Sequence, residues 1–278
     1  MIKSILIPSD GSPNSKTALE YGIYLSSKFE AEITGLNIVD IKALEGPFFS
    51  DVSGALGFSP YQNYLPKFQE ILEERGNIVL EEFKKICEEK SVRPKIKRLS
   101  GIIPNVIADE GKKVDLIIVA QRGEHAEWSS GLLGSTTESV VRKSLRPVLV
   151  TSKTFRPFKT ILHAYDGSSE SNKAMKLACE LVHSLEAKLK IVLVMSNKEK
   201  GKSILSEAEE FIAPYHLNAD IEQLKGQTAK EILSYTKTNK VDLIIMGAFG
   251  HSRIHELILG GTTAYVLRNS VVPILLNR

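Results

Sequence analysis

The sequence predicts an α/β fold built as two tandem units, each an open, five-stranded, mostly parallel sheet with helices on both faces. Two observations predict it. Four sequence landmarks recur in the same order in both halves of the 278-residue chain, as a tandem duplication requires. Within each half, short β-branched runs alternate with helical patterns, and this alternation is typical of parallel sheets with right-handed crossovers.

The landmarks are strands together with the turns that follow or precede them. They read ILIPSDGS and ILHAYDGS, then VDLIIVA and VDLIIMG, then a glycine-spaced loop in each half, then PVLV and PILL. In the same order they occupy residues 5–12 and 161–168, 114–120 and 241–247, 120–136 and 247–263, and 147–150 and 273–276. The function must therefore be sought in what one unit offers twice.

Each unit begins with a nearly continuous apolar strand, as expected for a parallel strand that is covered on both faces. Ser12 and Ser168 then match helix N-caps, and Pro13 suits the first helical position. The next helix has an apolar stripe at spacings of three and four. The stripe comprises Ala18, Gly22, Leu25 and Phe29 in the first half, and Ala174, Ala178, Leu181 and Leu185 in the second.

Further strands are predicted at 33–39 and 189–195, at 96–101 and 221–226, and at the runs ending at Ala120 and Gly247. The first half is longer, and its extra length lies between residues 41 and 65. This insertion is either a surface loop that packs its own aromatic residues or a lid or interdomain contact, since loops of this length are often functional. The helix after it is predicted to place Phe68, Ile71, Leu72, Val79, Phe83 and Ile86 in the core.

A short polar connector at residues 151–157 separates the two units, which gives predicted domains at 1–153 and 157–278. The net charge of +3 supports no nucleic-acid partner, and no apolar run approaches the roughly 20 residues that span a bilayer. The amino terminus lacks the pattern of a signal peptide, which favours the cytoplasm. Cys87 and Cys179 are predicted to be buried. His251 and His255 lack an acidic partner, so no metal site is predicted.

Ligands of open parallel sheets bind beyond the carboxyl ends of the strands. Two segments of each unit are predicted to converge there: the turn carrying Asp10 or Asp166, and the loop after the fourth strand. Glycines in that loop permit a close approach to a ligand. The free amides at the start of the last helix, near Gly260, favour phosphate.

On these residues the chain resembles the tandem universal stress proteins, over nearly its whole length. The nucleotide-binding type of that family carries Gly-x2-Gly-x9-Gly-(Ser/Thr) and an aspartate after the first strand. Gly247, Gly250 and Gly260 match this spacing, and Asp166 matches the acid. The resemblance implies a Rossmann-like fold of the adenine nucleotide alpha hydrolase type.

The resemblance implies a second-half site with the base near Asp166, Val194 and Met246 and the phosphates on glycine amides. The full set is Ala164, Asp166, Val194, Met246, Gly247, Gly250, Gly260, Gly261 and Thr262. Gly261 stands where the family has Ser or Thr. Its amide remains, however, and Thr262 follows.

The first half departs from the family motif in a different way. Its corresponding set is Asp10, Gly123, Gly134, Ser135 and Thr136. Ala120 replaces the first glycine, ten residues separate Gly123 from Gly134, and Glu124 and Glu127 bring negative charge. In both halves a purely structural interpretation stays open, in which the glycines serve backbone conformation and the aspartates accept turn amides.

The leading hypothesis is a stress-response protein that binds ATP, AMP or ADP, with Mg²⁺ left open, mainly in the second unit. It would act as a sensor or signalling module with no catalytic residues and at most weak ATP hydrolysis, because no lysine follows Gly260 or Gly134 to neutralise phosphate charge. The alternatives are an adenylating enzyme of the related nucleotide hydrolase superfamily, whose SGGxDS or HxGH signatures are not matched, and a nucleotide-free scaffold.

The resemblance also implies that the closing strands pair edge to edge. Because both copies lie in one chain, these strands are predicted to pair internally as a pseudo-two-fold dimer. Further association as a homodimer would then use another surface, for which residues 41–65 are the candidate.

Overall fold

The computed structural model describes residues 2–41, 61–123, 133–248 and 259–278. The first half contains strands β1 (Ser4–Pro8), β2 (Glu32–Asp40), β3 (Lys95–Gly101), β4 (Leu116–Ala120) and β5 (Val148–Thr151), and helices α1 (Pro13–Phe29), α2 (Tyr61–Glu89), α3 (Ile103–Gly111) and α4 (Ser135–Lys143). The second half contains strands β6 (Thr160–Ala164), β7 (Lys188–Val194), β8 (Ala219–Leu224), β9 (Leu243–Gly247) and β10 (Ile274–Asn277), and helices α5 (Ser169–Leu185), α6 (Lys198–Ile212), α7 (Thr228–Thr238) and α8 (Gly261–Asn269).

All ten strands form one sheet in the order β3-β2-β1-β4-β5-β10-β9-β6-β7-β8. Every neighbouring pair within a half is parallel, so the predicted fold class is confirmed. The halves join where β5 and β10 run antiparallel, with Leu149 opposite Leu275. This internal pairing is the one predicted for the two closing strands.

Helices cover both faces of the sheet, and each face has a hydrophobic core that continues through both halves. Helices α1, α2, α5 and α6 pack on one face, and α3, α4, α7 and α8 pack on the other. At the junction, Leu149 and Leu275 point into the first core, whereas their strand neighbours Val150 and Ile274 point into the second. The alternation of strand side chains therefore lets one strand pair close both cores.

The connector between the halves is held against α1 by two tyrosines. The hydroxyl of Tyr21 donates to the carbonyl of Thr154 at 3.1 Å, and the hydroxyl of Tyr24 accepts from the amide of Phe158 at 3.3 Å. The rings of Phe155 and Phe158 pack on both tyrosines. The connector is therefore more apolar than its sequence indicated, and it begins after Thr151, which belongs to β5.

The helix after the insertion differs from its prediction. Ile71 is 53% exposed and does not belong to the core, whereas Phe83 is buried as expected. Residues 61–65, assigned to the insertion from the sequence, form the start of α2, which has 29 residues against 15 in its counterpart α6. The rest of the insertion, residues 42–60, lies outside the described ranges.

Two smaller findings bear on the chemistry of the chain. Cys87 and Cys179 are buried and free, as predicted, and burial raises the pKa of their thiols to about 12 and about 11. Within the described ranges, no helix combines the length and the apolarity needed to cross a bilayer.

Candidate functional site

The strand order reverses once in each half, and this reversal creates a crevice. Strand β1 lies between β2 and β4, and β6 lies between β7 and β9 in the same way. After β1 the chain continues to β2 on one side of the sheet, and after β4 it continues to β5 on the other side. The connections after β6 and β9 diverge in the same way. Such a switch point, at the carboxyl ends of the strands, is where open α/β sheets bind their ligands.

The turn after the first strand of each half fixes an aspartate at this edge. A carboxylate oxygen of Asp10 accepts the amide of Ser12 at 3.0 Å, and Asp166 accepts the amide of Ser168 at the same distance. Gly167, between the latter two residues, has a φ of +77°, which favours glycine. One carboxylate oxygen of each aspartate therefore accepts an amide of its own turn, as the purely structural interpretation predicts.

The next helix begins directly after the turn. The hydroxyls of Ser12 and Ser168 accept the amides of Ser15 and Ser171 at 3.2 Å, as predicted for N-caps. These caps hold the aspartate turns in one conformation. The carboxylates are thus positioned by local backbone geometry before any ligand is considered.

In the first half, the loop after β4 meets the aspartate turn. A Cβ added to Gly123 would lie 3.0 Å from Oδ2 of Asp10. The amide of Gly134 donates to the carbonyl of Gln121 at 3.1 Å, which holds the start of α4 against the same loop. Predicted residues Asp10, Gly123 and Gly134 are therefore brought together, with Ser135 and Thr136 following in the first turn of α4.

In the second half, Gly247 has a packing role that the sequence did not reveal. A Cβ at this position would lie 2.8 Å from the backbone nitrogen of Ser171 and 2.9 Å from the carbonyl carbon of Glu170. The sequence suggested a close approach to a ligand, whereas the close approach observed is to the first turn of α5. Ala120 occupies the matching position in the first half.

The start of α8 has few neighbours among the described residues. Among the described atoms, a Cβ added to Gly260 would meet only the Thr263 hydroxyl, at 4.0 Å, and one added to Gly261 would meet nothing within 4 Å. Helix α8 has no side-chain cap, and the first amides of a helix lack intrahelical acceptors. The amides of Gly261 and Thr262 therefore have no described atom crowding them. Gly250 lies outside the described residues.

The remaining predicted residues lie on three adjacent strands. Ala164 on β6 is the Cα partner of Met246 on β9, and Val194 is the last residue of β7, on the other side of β6. Met246 is buried, Ala164 and Val194 are half-buried, and Asp166 is exposed. An apolar floor thus lies beside an exposed carboxylate.

His163 was not identified as a site residue from the sequence. Its ring is fully buried, with Nδ1 3.2 Å from the carbonyl oxygen of Ile245 and Nε2 3.1 Å from that of Ser171. Burial lowers the pKa of the imidazole to about 4, although both carbonyl contacts act in the opposite direction. The signal was a histidine in ILHAYDGS where the first half has Ile7. His163 links β9 to the first turn of α5, beneath the second crevice.

No cluster of three or more His, Cys, Asp or Glu side chains suited to a metal ion occurs in the part of the chain that the structure describes. His251, His255, Glu124 and Glu127 lie outside it. The chemistry that the described residues offer is therefore carboxylate, apolar contact and free backbone amides.

Comparison with known proteins agrees with this architecture. A family model described as the universal stress protein family matches residues 1–152 and again residues 157–278. The universal stress protein Slr1230 of Synechocystis is 29% identical, covering 99% of both chains, and MJ0531 of Methanocaldococcus jannaschii is 32% identical over 55% of this chain and 84% of its own.

The solved structure of a universal stress protein from Archaeoglobus fulgidus superimposes with a TM-score of 0.79, covering 99% of this chain and 98% of that one at 23% identity. This likeness extends the agreement from each unit to the fold of the whole chain. Two copies of the family's sequence pattern, on a duplicated sheet of this topology, identify the chain as a member of the universal stress protein family.

Proposed function

We propose that this chain binds an adenine nucleotide, ATP or its diphosphate or monophosphate, mainly in the second unit, and that it acts as a cytoplasmic sensor in a stress response. The observation that carries the proposal is the start of α8, which has no side-chain cap and few neighbours among the described atoms, and which lies on the same edge of the sheet as Asp166. The units that carry the two sites correspond to residues 1–153 and 157–278.

Phosphate binding rests on the backbone of α8. The amides of Gly261 and Thr262 lack intrahelical acceptors, and the helix dipole adds partial positive charge at the same place. The missing side chains at Gly260 and Gly261 leave room for phosphate oxygens to approach these amides. Amide donors can bind phosphate without a lysine. Because no lysine neutralises the phosphate charge, the site favours nucleotide binding over phosphoryl transfer.

Base and ribose binding rest on the neighbouring strands. Ala164, Val194 and Met246 supply apolar contact for the flat face of a purine at the carboxyl ends of β6, β7 and β9. Asp166 is exposed and uses Oδ1 for its own turn, so that Oδ2 is suited to a ribose hydroxyl. Carboxylates accept strong hydrogen bonds of this kind.

The first unit offers a second version of the same site. Oδ2 of Asp10 faces Gly123, and a Cβ at Gly134 would lie 3.3 Å from the carbonyl oxygen of Gln121. These are described atoms of the first half only, and they bring its aspartate turn, its loop and the start of α4 close together. The departures of the first-half loop from the family motif support the second unit as the principal site and the first as the weaker one.

The test is Gly260→Val. Its branched side chain fills the space at the start of α8 while meeting few described atoms, so the fold should be kept and nucleotide binding lost. Both proteins are purified without added nucleotide and denatured, and the released nucleotide is identified by mass spectrometry; a labelled ATP analogue then gives affinities. Gly134→Val, the matching change in the first unit, is the control and should retain the principal site.

Equal binding by the parent and Gly260→Val would show that the site is misplaced. The same preparations are assayed for ATP hydrolysis, which should be slow, because charge neutralisation and a positioned nucleophile are needed for phosphoryl transfer. A turnover on the order of 1 per second or more, within the usual enzyme range, would contradict the sensor function.

A further inference from the structure

The first-half crevice makes direct contact with the second half through Gln121, in the loop after β4. The side-chain Nε2 of Gln121 donates to the carbonyl of Leu267, in the last turn of α8, at 2.7 Å. The backbone of the same residue accepts the amide of Gly134 at 3.1 Å and donates to Thr151 at 3.3 Å. One residue thus holds the start of α4 and the end of α8 together.

A second contact joins the same two helices. Glu138, in the first turn of α4, places Oε2 3.6 Å from Nη2 of Arg268 in the last turn of α8. Its other carboxylate oxygen pairs with Arg142 on α4. Because the Glu138 side chain is only 22% exposed, solvent screens this ion pair less than it screens an ion pair on an open surface.

The residues that make these two contacts are not repeated in the second half. The positions that match Gln121 and Glu138 in the second half are Ala248 and Ala264, whose methyl groups can form neither a hydrogen bond nor an ion pair. Arg142 and Arg268, in contrast, match each other in the two halves. The first-half loop and helix therefore contact α8 through Gln121 and Glu138, whereas the matching described residues of the second half, Ala248 and Ala264, cannot make these contacts to α4.

We propose that α8 couples the two nucleotide sites. Its first residues form the phosphate end of the second site, and its last turn contacts the residue that fixes the start of α4 in the first site. A nine-residue helix is about 13 Å long and moves as one body, so a shift on phosphate binding at one end reaches the contacts at the other. The coupling rests on the proposed function and, by linkage, is reciprocal.

The coupling is measured as a ratio of affinities by calorimetry with a non-hydrolysable ATP analogue. In the parent, the affinity of the first site is measured while nucleotide fills the second site. In Gly260→Val, the same affinity is measured while the valine side chain blocks the second site. We expect these two affinities to differ about fivefold, at the weak end of typical allosteric coupling. Q121A/E138A gives the first half the residues of the second, and in that background the ratio should fall to about one.

Lys143→Ala is the matched control. It removes a polar contact of the same helix, to Asn105 on α3, that stays within the first half, so the ratio should be unchanged. The single variants Gln121→Ala and Glu138→Ala should each give intermediate ratios, which keeps the test decisive if the double variant folds poorly. A double-mutant cycle of Glu138→Ala and Arg268→Ala on unfolding, without nucleotide, tests the contact itself.

A ratio of one in the parent overturns the coupling, and a ratio that survives in Q121A/E138A overturns this route. Strictly additive effects in the double-mutant cycle overturn the Glu138–Arg268 contact and the proposal with it. Binding at the second site alone overturns the coupling and leaves the proposed function intact. Binding at neither site overturns both.

Discussion

Gly247 and Ala120 occupy matching positions at the ends of β9 and β4, yet only the glycine is required by its surroundings. In the second half, the first turn of α5 passes so close that a Cβ at Gly247 would lie 2.8 Å from the backbone nitrogen of Ser171. Backbone cannot move aside as a flexible side chain can. The spacing of the glycines could be predicted from the sequence, but this use of one of them depends on the packing of a helix that the motif does not contain.

We predict that Gly247→Ala lowers the free energy of unfolding by about 1–3 kcal/mol, the usual cost of overpacking. Gly260→Ala, whose added methyl would meet only one described atom, at 4.0 Å, should leave it nearly unchanged. Denaturant unfolding followed by circular dichroism gives both values. Equal stability of the two variants would mean that α5 yields to the methyl group and that Gly247 is free for another role.

We predict that burial of His163 makes the stability of the chain depend on pH. Its pKa is about 4 in the folded chain and about 6.5 when the ring is solvated, so the unfolded state binds the extra proton first as the pH falls. The contribution of the neutral ring to stability is complete above pH 6.5 and is lost as the pH falls to 4. The loss amounts to about 3 kcal/mol, from 1.36 kcal/mol for each pH unit.

We therefore expect His163→Ile, which copies Ile7 of the first half, to flatten the dependence of unfolding free energy on pH between 6.5 and 4. His183→Gln changes an exposed histidine of α5 and should keep the parent's slope. Urea unfolding at four or five pH values in this window is sufficient. A parental slope in His163→Ile would assign the acid sensitivity to other groups.

At the scale of elements, the aspartates of the VDLII landmarks, Asp115 and Asp242, join neighbouring strands by hydrogen bonds at the edge of the sheet opposite the crevices. Asp115 Oδ2 accepts the amides of Lys3 and Ser4 at 2.9 and 3.0 Å, and Asp242 accepts those of Lys159 and Thr160 in the same way. Each aspartate thus ties the start of the fourth strand of its half to the start of the first. The duplication of this landmark reflects architecture and not ligand binding.

Asp115→Ala should accordingly cost about 1–3 kcal/mol of stability, since it leaves backbone donors without their acceptor. Nucleotide affinity measured below the unfolding range should be unchanged, because the crevices lie at the other end of the strands. A large loss of affinity in a folded Asp115→Ala protein would refute this separation of roles.

The strand bounds and the starts of α1 and α5 could be predicted to within about two residues, because buried parallel strands and capped helices carry clear sequence patterns. The exception was α2. Its 29 residues extend about 44 Å, whereas the nine residues of β2 beneath it extend about 30 Å. The helix is therefore longer than the strand that it covers, and Ile71 is exposed although it continues the apolar stripe. Periodicity predicts a face of a helix, but not how far its partner extends.

At the scale of the whole molecule, the internal joining of the halves could be predicted because the family resemblance implies edge-to-edge pairing of the closing strands, and both strands are short, apolar and carried by one chain. The contacts that make the two halves unequal could not be predicted from the sequence. Gln121 and Glu138 are ordinary polar residues, and their role depends on the position of α8, which only the structure gives. Whether residues 42–60 form a lid, a loop or a contact stays a prediction.

We predict that the chain forms a homodimer through the insertion, because β5 and β10 already occupy each other's edges. Light scattering should give twice the mass of one chain for the parent and the mass of one chain after residues 42–60 are replaced by a short glycine–serine linker. A dimer that persists after the replacement would assign the interface elsewhere, and a monomeric parent would exclude the homodimer.

Because β5 and β10 join the two halves within one chain, a substitution in one half need not be accompanied by the same substitution in the other. In a pair of identical subunits related by a two-fold axis, any substitution appears in both subunits at once. A new contact from the first subunit to the second is therefore always accompanied by the same contact from the second to the first. Covalent fusion removes that obligation, because each position is encoded separately on either side. Gln121 in place of Ala248, and Glu138 in place of Ala264, are differences that two identical subunits cannot have. A protein of this architecture can assign unequal tasks to its two halves without ever risking the separation of its partners by dilution.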